Sequence, residues 1–224
     1  MSRFLLILSA VLIAGCANAD AQRPFAVEAI AEFDAPWAMA FLPDGRLLVT
    51  EKAGRLLVVD GAGNTSQPIS GVPEVDYGGQ GGLGDVALHP DFARNGLVYL
   101  SYVEAGEGDT RGAVVARGVL ELADAAGSLS DVEVIWRQDP KVSGRGHYGH
   151  RLLFDDEGHL FISSGDLQKF DPAHDMSGYL GKIVRLNDDG SVPHDIPFYN
   201  DGGVTAQIWS LGHRYPLGIA FYLD

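Results

Sequence analysis

Three stretches of the chain share one grammar. MAFLPDGRLLVTEKAGRLLVVDGAGN from Met39, VALHPDFARNGLVYLSYVE from Val86 and LLFDDEGHLFISSGD from Leu152 each read as an apolar strand, an acidic turn closed by glycine, and a second apolar strand. Gly45, Gly96 and Gly158 close those turns, and a further shared segment follows each hairpin, at Gly54, Gly118 and Gly181. Units that recur at roughly fifty to sixty residues, each with about four short strands, are the pattern of propeller blades rather than of a sandwich. Pro-Asp-Gly in the first turn supplies a fixed φ, an Asx-type bond and a positive-φ residue in the order a hairpin loop requires. With 29 glycines and 11 prolines and no sustained helical period beyond the first residues, the fold class is all-β, a β-propeller. The final GIAFYLD aligns with the MAFLPD that opens the first repeat. The chain is therefore expected to cover about three blades and the start of a fourth. Because a ring closes with about four to eight blades, it reads as the N-terminal part of a longer protein.

The first fifteen residues run from Arg3 through FLLILSAVLIAG to Cys16. This is a charged start, an apolar stretch of signal length and small residues before a cut, too short for a stable membrane span. IAGC is similar to the lipobox of bacterial lipoproteins, in which Cys16 would become the lipidated first residue. The alternative, less favoured, is an ordinary secretory signal with an incidental cysteine. The expected organisation is a signal over 1–15, a tether over 16–23 and a partial propeller over 24–224. The protein is expected to be exported to the periplasm, meeting the membrane only through a lipid anchor on Cys16. Cys16 is the single cysteine of the 224 residues, so an intrachain disulfide is excluded, and no cysteine zinc site or thiol nucleophile is left for the folded part. A formal charge of −14 repels a phosphate backbone, and no nucleic-acid partner is expected.

Chemistry concentrates in SGRGHYGHRLLFDDEGHLFISSGD, residues 143–166. If DDEG turns that hairpin, His147 faces Asp166 across its open end, within the tolerance of a one-residue bulge. A carboxylate beside an imidazole fixes its tautomer and raises its basicity, the arrangement needed to draw a proton from a hydroxyl, though such pairs also serve purely structural ends. His150 completes an HxxH spacing, but three positions along a strand turn the two rings to opposite faces and nothing nearby completes a zinc set; it reads as structural. His89, His159, His174 and His194 read as surface histidines. GQGGLG at 79–84 matches a dinucleotide fingerprint in letters only, since it follows Asp76-Tyr77-Gly78 and leads into a strand rather than a helix. Its glycines are expected to let the backbone turn sharply and approach a neighbour, presenting Gln80. No GxSxG, HExxH or P-loop pattern occurs.

Taken together, PWAMAFLPDGRLLVTEKAGRL, GQGGLGDVALHPDF, GHYGHRLLFDDEGHLFISSGD, LGKIVRLNDDGSVP and IWSLGHR resemble the soluble quinoprotein glucose and aldose sugar dehydrogenases, the glucose/sorbosone dehydrogenase family, from about Pro24 to Asp224. The resemblance implies a six-bladed propeller with pyrroloquinoline quinone on its axis and calcium beside it. It also implies oxidation of an aldose at its anomeric carbon to the lactone and an external electron acceptor. By the same resemblance His147 is the base that takes the anomeric proton and Asp166 the carboxylate behind it. Gln80 contacts the reacting oxygen of the sugar, and Arg214 reaches both substrate and quinone. The chain departs from the pattern at Tyr215, which replaces a cofactor-contacting amide and is expected with Arg214 at the cofactor, and at Leu167, Gly84 and Tyr179. The calcium ligands and further basic residues for the quinone fall beyond the sequence, so no metal ligand is assigned here. The chain by itself is expected not to hold the quinone tightly. Two rivals stay open: a calcium-dependent lactonase-like propeller hydrolase and a non-catalytic propeller that serves as a binding scaffold.

Overall fold

The computed structural model describes residues 25–123 and 126–222; the 1–15 signal and the 16–23 tether, Cys16 included, lie outside the described residues. Three antiparallel meanders follow one another along the chain. The first holds β1 (Pro36–Phe41), β2 (Leu47–Glu51) and β3 (Arg55–Val59). Beyond β3 the chain runs back alongside it with only a bridge from Val59 to Thr65 and hydrogen bonds from Ser66 and Ile69 to Val58 and Leu56. The second holds β4 (Leu83–Leu88), β5 (Leu97–Ala105), β6 (Thr110–Leu122) and β7 (Gly127–Arg137), with β8 (Val142–Ser143) added to the start of β6. The third holds β9 (Gly149–Phe154), β10 (Leu160–Ser164), β11 (Lys182–Leu186) and β12 (Ile208–Leu211). These are propeller blades, with β1, β4 and β9 as their first strands.

The turn glycines behave as their sequence context requires, Gly45 at φ 88° and Gly158 at φ 85°. The middle hairpin differs from a plain turn. Its DFARNG closes through a single helical turn, α1 (Phe92–Asn95), which Gly96 ends at φ 64° by donating to the Phe92 carbonyl. Longer than its counterparts, this loop has room for one turn of helix, and the glycine stops it.

The core lies between blades. Val98, Leu100 and Tyr102 of β5, with Val114 and Ala116 of β6, pack on Leu48, Leu56 and Val58 of the first blade. The alternate positions Tyr99, Ala113 and Val115 pack on Leu160, Ile162 and Val184 of the third. Period-two alternation thus divides one sheet between two cores, and burial on both faces explains why the middle strands read as nearly continuous apolar runs. Each such side chain fully withdrawn from water contributes about 1.5–3 kcal/mol. On β1, by contrast, Met39 and Phe41 remain exposed.

A hydroxyl joins each blade to the next. Thr50 of β2 accepts from the Ala38 N–H of its own blade at 3.0 Å and donates to the Gly84 carbonyl of β4 at 2.7 Å. Ser101 of β5 accepts from Asp85 N–H at 2.7 Å and donates to the His150 carbonyl of β9 at 2.8 Å. Ser163 of β10 accepts from Arg151 N–H at 2.9 Å and donates to the Pro216 carbonyl at 3.1 Å. Each lies five residues after its turn glycine. The third bond shows where the chain after β12 runs: beside the third blade, where a next first strand belongs. Asp85 adds a second tie, accepting from Leu152 N–H at 2.9 Å and facing Arg151.

All three hydroxyls are buried, so removing one strands a buried donor and a buried acceptor, at a cost of about 1–3 kcal/mol. Thr50→Val keeps the shape and loses the bonds, whereas Thr50→Ser keeps the bonds and loses a methyl. Urea unfolding should show the larger drop in midpoint for Thr50→Val, with the m-value unchanged. Equal drops would assign the loss to methyl packing.

Candidate active site

The hairpin of β9 and β10 pairs Leu160 with Phe154 and Ile162 with Leu152, one position away from the register that a turn centred on DDEG predicts. A bulge between Ile162 and Ser164 then slips the pairing, so that Ser164 faces Gly149. The slip restores the expected apposition at the open end: His147 Nδ1 lies 2.8 Å from Asp166 Oδ1. Their side chains are 12% and 2% exposed, so the pair is shielded yet reachable at the imidazole. No partner for Nε2 is present among the described residues.

The surrounding backbone is strained in one place. Of the seven described non-glycine residues with left-handed φ, five cluster here: His147 (57°), His150 (76°), Leu167 (44°), Gln168 (63°) and Phe170 (63°). Such conformations cost roughly 1–3 kcal/mol each and persist only where the surroundings over-determine them. The surroundings do so. Gln80 Oε1 accepts from His147 N–H at 2.7 Å, while Gln80 N–H donates to the Arg145 carbonyl at 2.8 Å. Leu167 N–H donates to the His147 carbonyl, and Asp166 Oδ1 also accepts from Gln168 N–H at 2.9 Å. Gly165 makes this approach feasible, since a Cβ there would stand 1.8 Å from the His147 carbonyl oxygen. Gly79, at φ 57°, lets the GQGGLG loop settle on the backbone of Arg145, the close approach its glycines foretell. Under the pair lie Tyr148, Leu167, Leu180 and Val103 as a small buried cluster. Leu167 therefore belongs to the core and not to the ligand face.

The other residues singled out in the sequence distribute as follows. Arg214 is exposed, its guanidinium 5.5 Å from the centre of the Phe170 ring, and its carbonyl accepts from Asp166 N–H at 2.8 Å. Tyr215 stacks on the His147 imidazole, ring centres 4.8 Å apart and planes 12° from parallel, a contact that no spacing in the sequence signals. Tyr179 is structural, edge-on to Trp136 with its hydroxyl on Gln207. Gly84 leaves room for Ser101 and His150. The surface placement expected for His89 and His159 does not hold. Their side chains are 13% and 15% exposed, because His89 packs against Tyr99 and Phe154 while His159 is engaged by Asp155 and Arg185. His174 and His194 are exposed.

Electrostatics set the site apart within an acidic chain. Among the described residues, ten of the fourteen lysines and arginines lie within ion-pair distance of a carboxylate; the remaining four are Lys52, Lys169, Lys182 and Arg214. Lys182 is wholly buried, donating to the carbonyls of Pro172, Ala173 and Leu180, and burial pulls it down to about 8. It thereby pins the turn that carries Phe170. The other three rim the pair. Lys52 donates to the Gly79 carbonyl next to Gln80, Lys169 reaches Ser143, and Arg214 borders a cleft of about 230 Å³ shared with Asp166, His174 and His213. A roomier groove of about 770 Å³ runs along β1, but its lining is apolar apart from Arg151 and offers no group to move a proton. No cluster of three or more His, Cys, Asp or Glu side chains among the described residues is placed to hold a metal ion.

The propeller thus presents, at its blade ends, an oriented imidazole beside cations that have no carboxylate partner among the described residues. The model of the glucose/sorbosone dehydrogenase family matches residues 33–224, and the chain belongs to that family. It is 43% identical over 190 residues to aldose sugar dehydrogenase YliI of Escherichia coli K12, covering 84% of this chain and 51% of that protein. The apo crystal structure of the soluble aldose sugar dehydrogenase from E. coli superposes with a TM-score of 0.76 at 44% identity, over 81% of this chain and 52% of that one. The PQQ-bound aldose sugar dehydrogenase of Streptomyces coelicolor does so with a TM-score of 0.74 at 28% identity, over 84% and 54%. The chain thus spans about half the length of these relatives.

His150, next to the site, is fully buried among Trp37 and Tyr148 with its Nδ1 unpartnered, and burial, reinforced by the charge of Lys52, pushes it down to about 3. In the unfolded chain this ring takes up a proton as pH falls through about 6.5. The stability it contributes is therefore complete above that pH and is lost on acidification, at up to about 1.4 kcal/mol per pH unit until the folded ring itself titrates. His150→Asn tolerates the left-handed backbone and does not titrate. It should flatten the fall of Tm between about pH 6.5 and pH 4; slopes equal to the parent's would assign the acid sensitivity elsewhere.

Proposed function

We propose that the chain carries the proton-abstracting half of a quinone-dependent sugar dehydrogenase, which oxidises the anomeric carbon of an aldose to the lactone. The observation that carries this reading is the 2.8 Å contact between His147 Nδ1 and Asp166 Oδ1. With Nδ1–H donated to the carboxylate, the lone pair sits on Nε2, the atom left open to a sugar hydroxyl. As Nε2 takes that proton, Asp166 stabilises the imidazolium and holds its orientation. Gln80 fixes the main chain of His147 at this position, and its role toward the sugar oxygen is proposed alongside.

Pyrroloquinoline quinone, when bound, supplies the acceptor for the anomeric hydride, chemistry no side chain can perform. The donor set suits a polycarboxylate quinone, because Arg214, Lys52 and Lys169 are the exposed or half-exposed cations without a carboxylate partner among the described residues. Arg214, set against Phe170, is proposed to meet both cofactor and sugar. Among the described residues no group of three or more acidic or imidazole side chains is placed to hold calcium, and no step is routed through it. Export to the periplasm, the lipid anchor on Cys16 and an external electron acceptor complete the proposal, on the leader sequence and the resemblance alone. The lactonase-like rival needs an axial carboxylate cluster, whereas Asp85 is engaged by Leu152, Val86 and Arg151.

In the protein loaded with quinone and calcium, His147→Ala should lower sugar-dependent dye reduction by about 10²–10⁴-fold in kcat. Asp166→Asn, which admits the wrong tautomer, should lower kcat with little change in KM. Parent-like turnover by His147→Ala would overturn the assignment, and lactone hydrolysis without quinone would establish the rival.

A further inference from the structure

Tyr215 stands where the family pattern calls for an amide, yet its ring lies flat against the imidazole of His147, 4.8 Å between centres and 12° between planes. Its placement does not depend on its own hydroxyl. Two hydrogen bonds anchor the main chain on either side of it, Asp166 N–H to the Arg214 carbonyl at 2.8 Å and Ser163 Oγ to the Pro216 carbonyl at 3.1 Å. Proline at 216 further restricts the backbone of Tyr215 itself. The phenol is thus delivered to the imidazole by a segment bound at both ends to residues at and after the end of β10.

We infer that Tyr215 is a positioning residue for the base, an inference that rests on the reading of His147 given above. An imidazole held by one hydrogen bond to a carboxylate oxygen can still rock about its Cβ–Cγ bond, whose torsional wells are broad. A parallel aromatic ring at stacking distance removes that freedom. It also closes one face of the imidazole. With Nδ1 engaged by Asp166 and one face covered by Tyr215, a ligand hydroxyl is left the Nε2 edge and the opposite face, so the ligand enters from a single side. The ring does this, not the hydroxyl. Tyr215 therefore serves the base in this chain, in contrast to the cofactor contact that its position in the family pattern implies.

The test uses the full chain without sugar or quinone. In NMR spectra the ring protons of His147 should be shifted upfield by the Tyr215 ring current. Diethylpyrocarbonate should acylate His147, followed by mass spectrometry, more slowly than the exposed His174 and His194, which act as internal references. Tyr215→Phe should preserve both signatures. Tyr215→Leu should abolish the upfield shift and raise the acylation rate of His147 several-fold while the reference rates stay fixed. His147 protons at ordinary positions in the parent protein would overturn the inference, and this result needs no variant to fold. So would a Tyr215→Leu protein with parent-like shifts and rates, or a Tyr215→Phe protein that behaves like Tyr215→Leu. Neither readout involves turnover, so failure here is separable from failure of the base assignment, which His147→Ala kinetics decide.

Discussion

A hydroxyl on the second strand of each blade, bonded backward to its own first strand and forward to the next, is the interaction from which the rest of the arrangement follows. Thr50, Ser101 and Ser163 each satisfy one N–H and one C=O that edge-to-edge packing of blades would otherwise bury without partners. Unpaired buried backbone groups are costly enough that this repeated device fixes how the blades meet. Because the bonds fall on the first strands, they bring the open ends of neighbouring hairpins together. The same Ser163 that closes the third junction aligns the segment carrying Arg214 and Tyr215 beside His147. Scaffold and site share that bond.

Around the pair, stabilisation of the fold gives way to placement of groups. Five left-handed non-glycine residues, a buried His150 without a partner for Nδ1 and a buried Lys182 capped only by carbonyls all lie on or next to one hairpin end. None of these is the most stable choice for its position. Their clustering is what a site produces when side-chain geometry takes precedence over local propensity. Charge follows the same division. Among the described residues, the buried Lys182 apart, cations elsewhere are matched with carboxylates, but Lys52, Lys169 and Arg214 near the pair are not.

Much of this was legible in the letters. The blade repeat, the glycine-closed turns and the apposition of His147 with Asp166 all follow from period-two patterning and from where an acidic turn centres a hairpin, and the bulge at Ser164 corrected a centre misplaced by one residue. The junction hydroxyls carried a signal too, since Thr50, Ser101 and Ser163 occupy the same place in their repeats. The misreadings of His89 and His159 as surface residues have a common cause. A histidine in a polar loop gives no sign of a partner from another strand, and it was Tyr99, Phe154 and Arg185 that buried these two.

What the sequence by itself determined was local and periodic: strand, turn, strand, the blade count, and which carboxylate could meet which imidazole within one hairpin. What only the tertiary structure decided involves groups far apart along the chain, because packing and not spacing brings them into contact. Gln80 on the His147 backbone, Tyr215 on its ring and the cations left without acidic partners depend on how whole blades lean on one another. No pattern within a single hairpin encodes that angle.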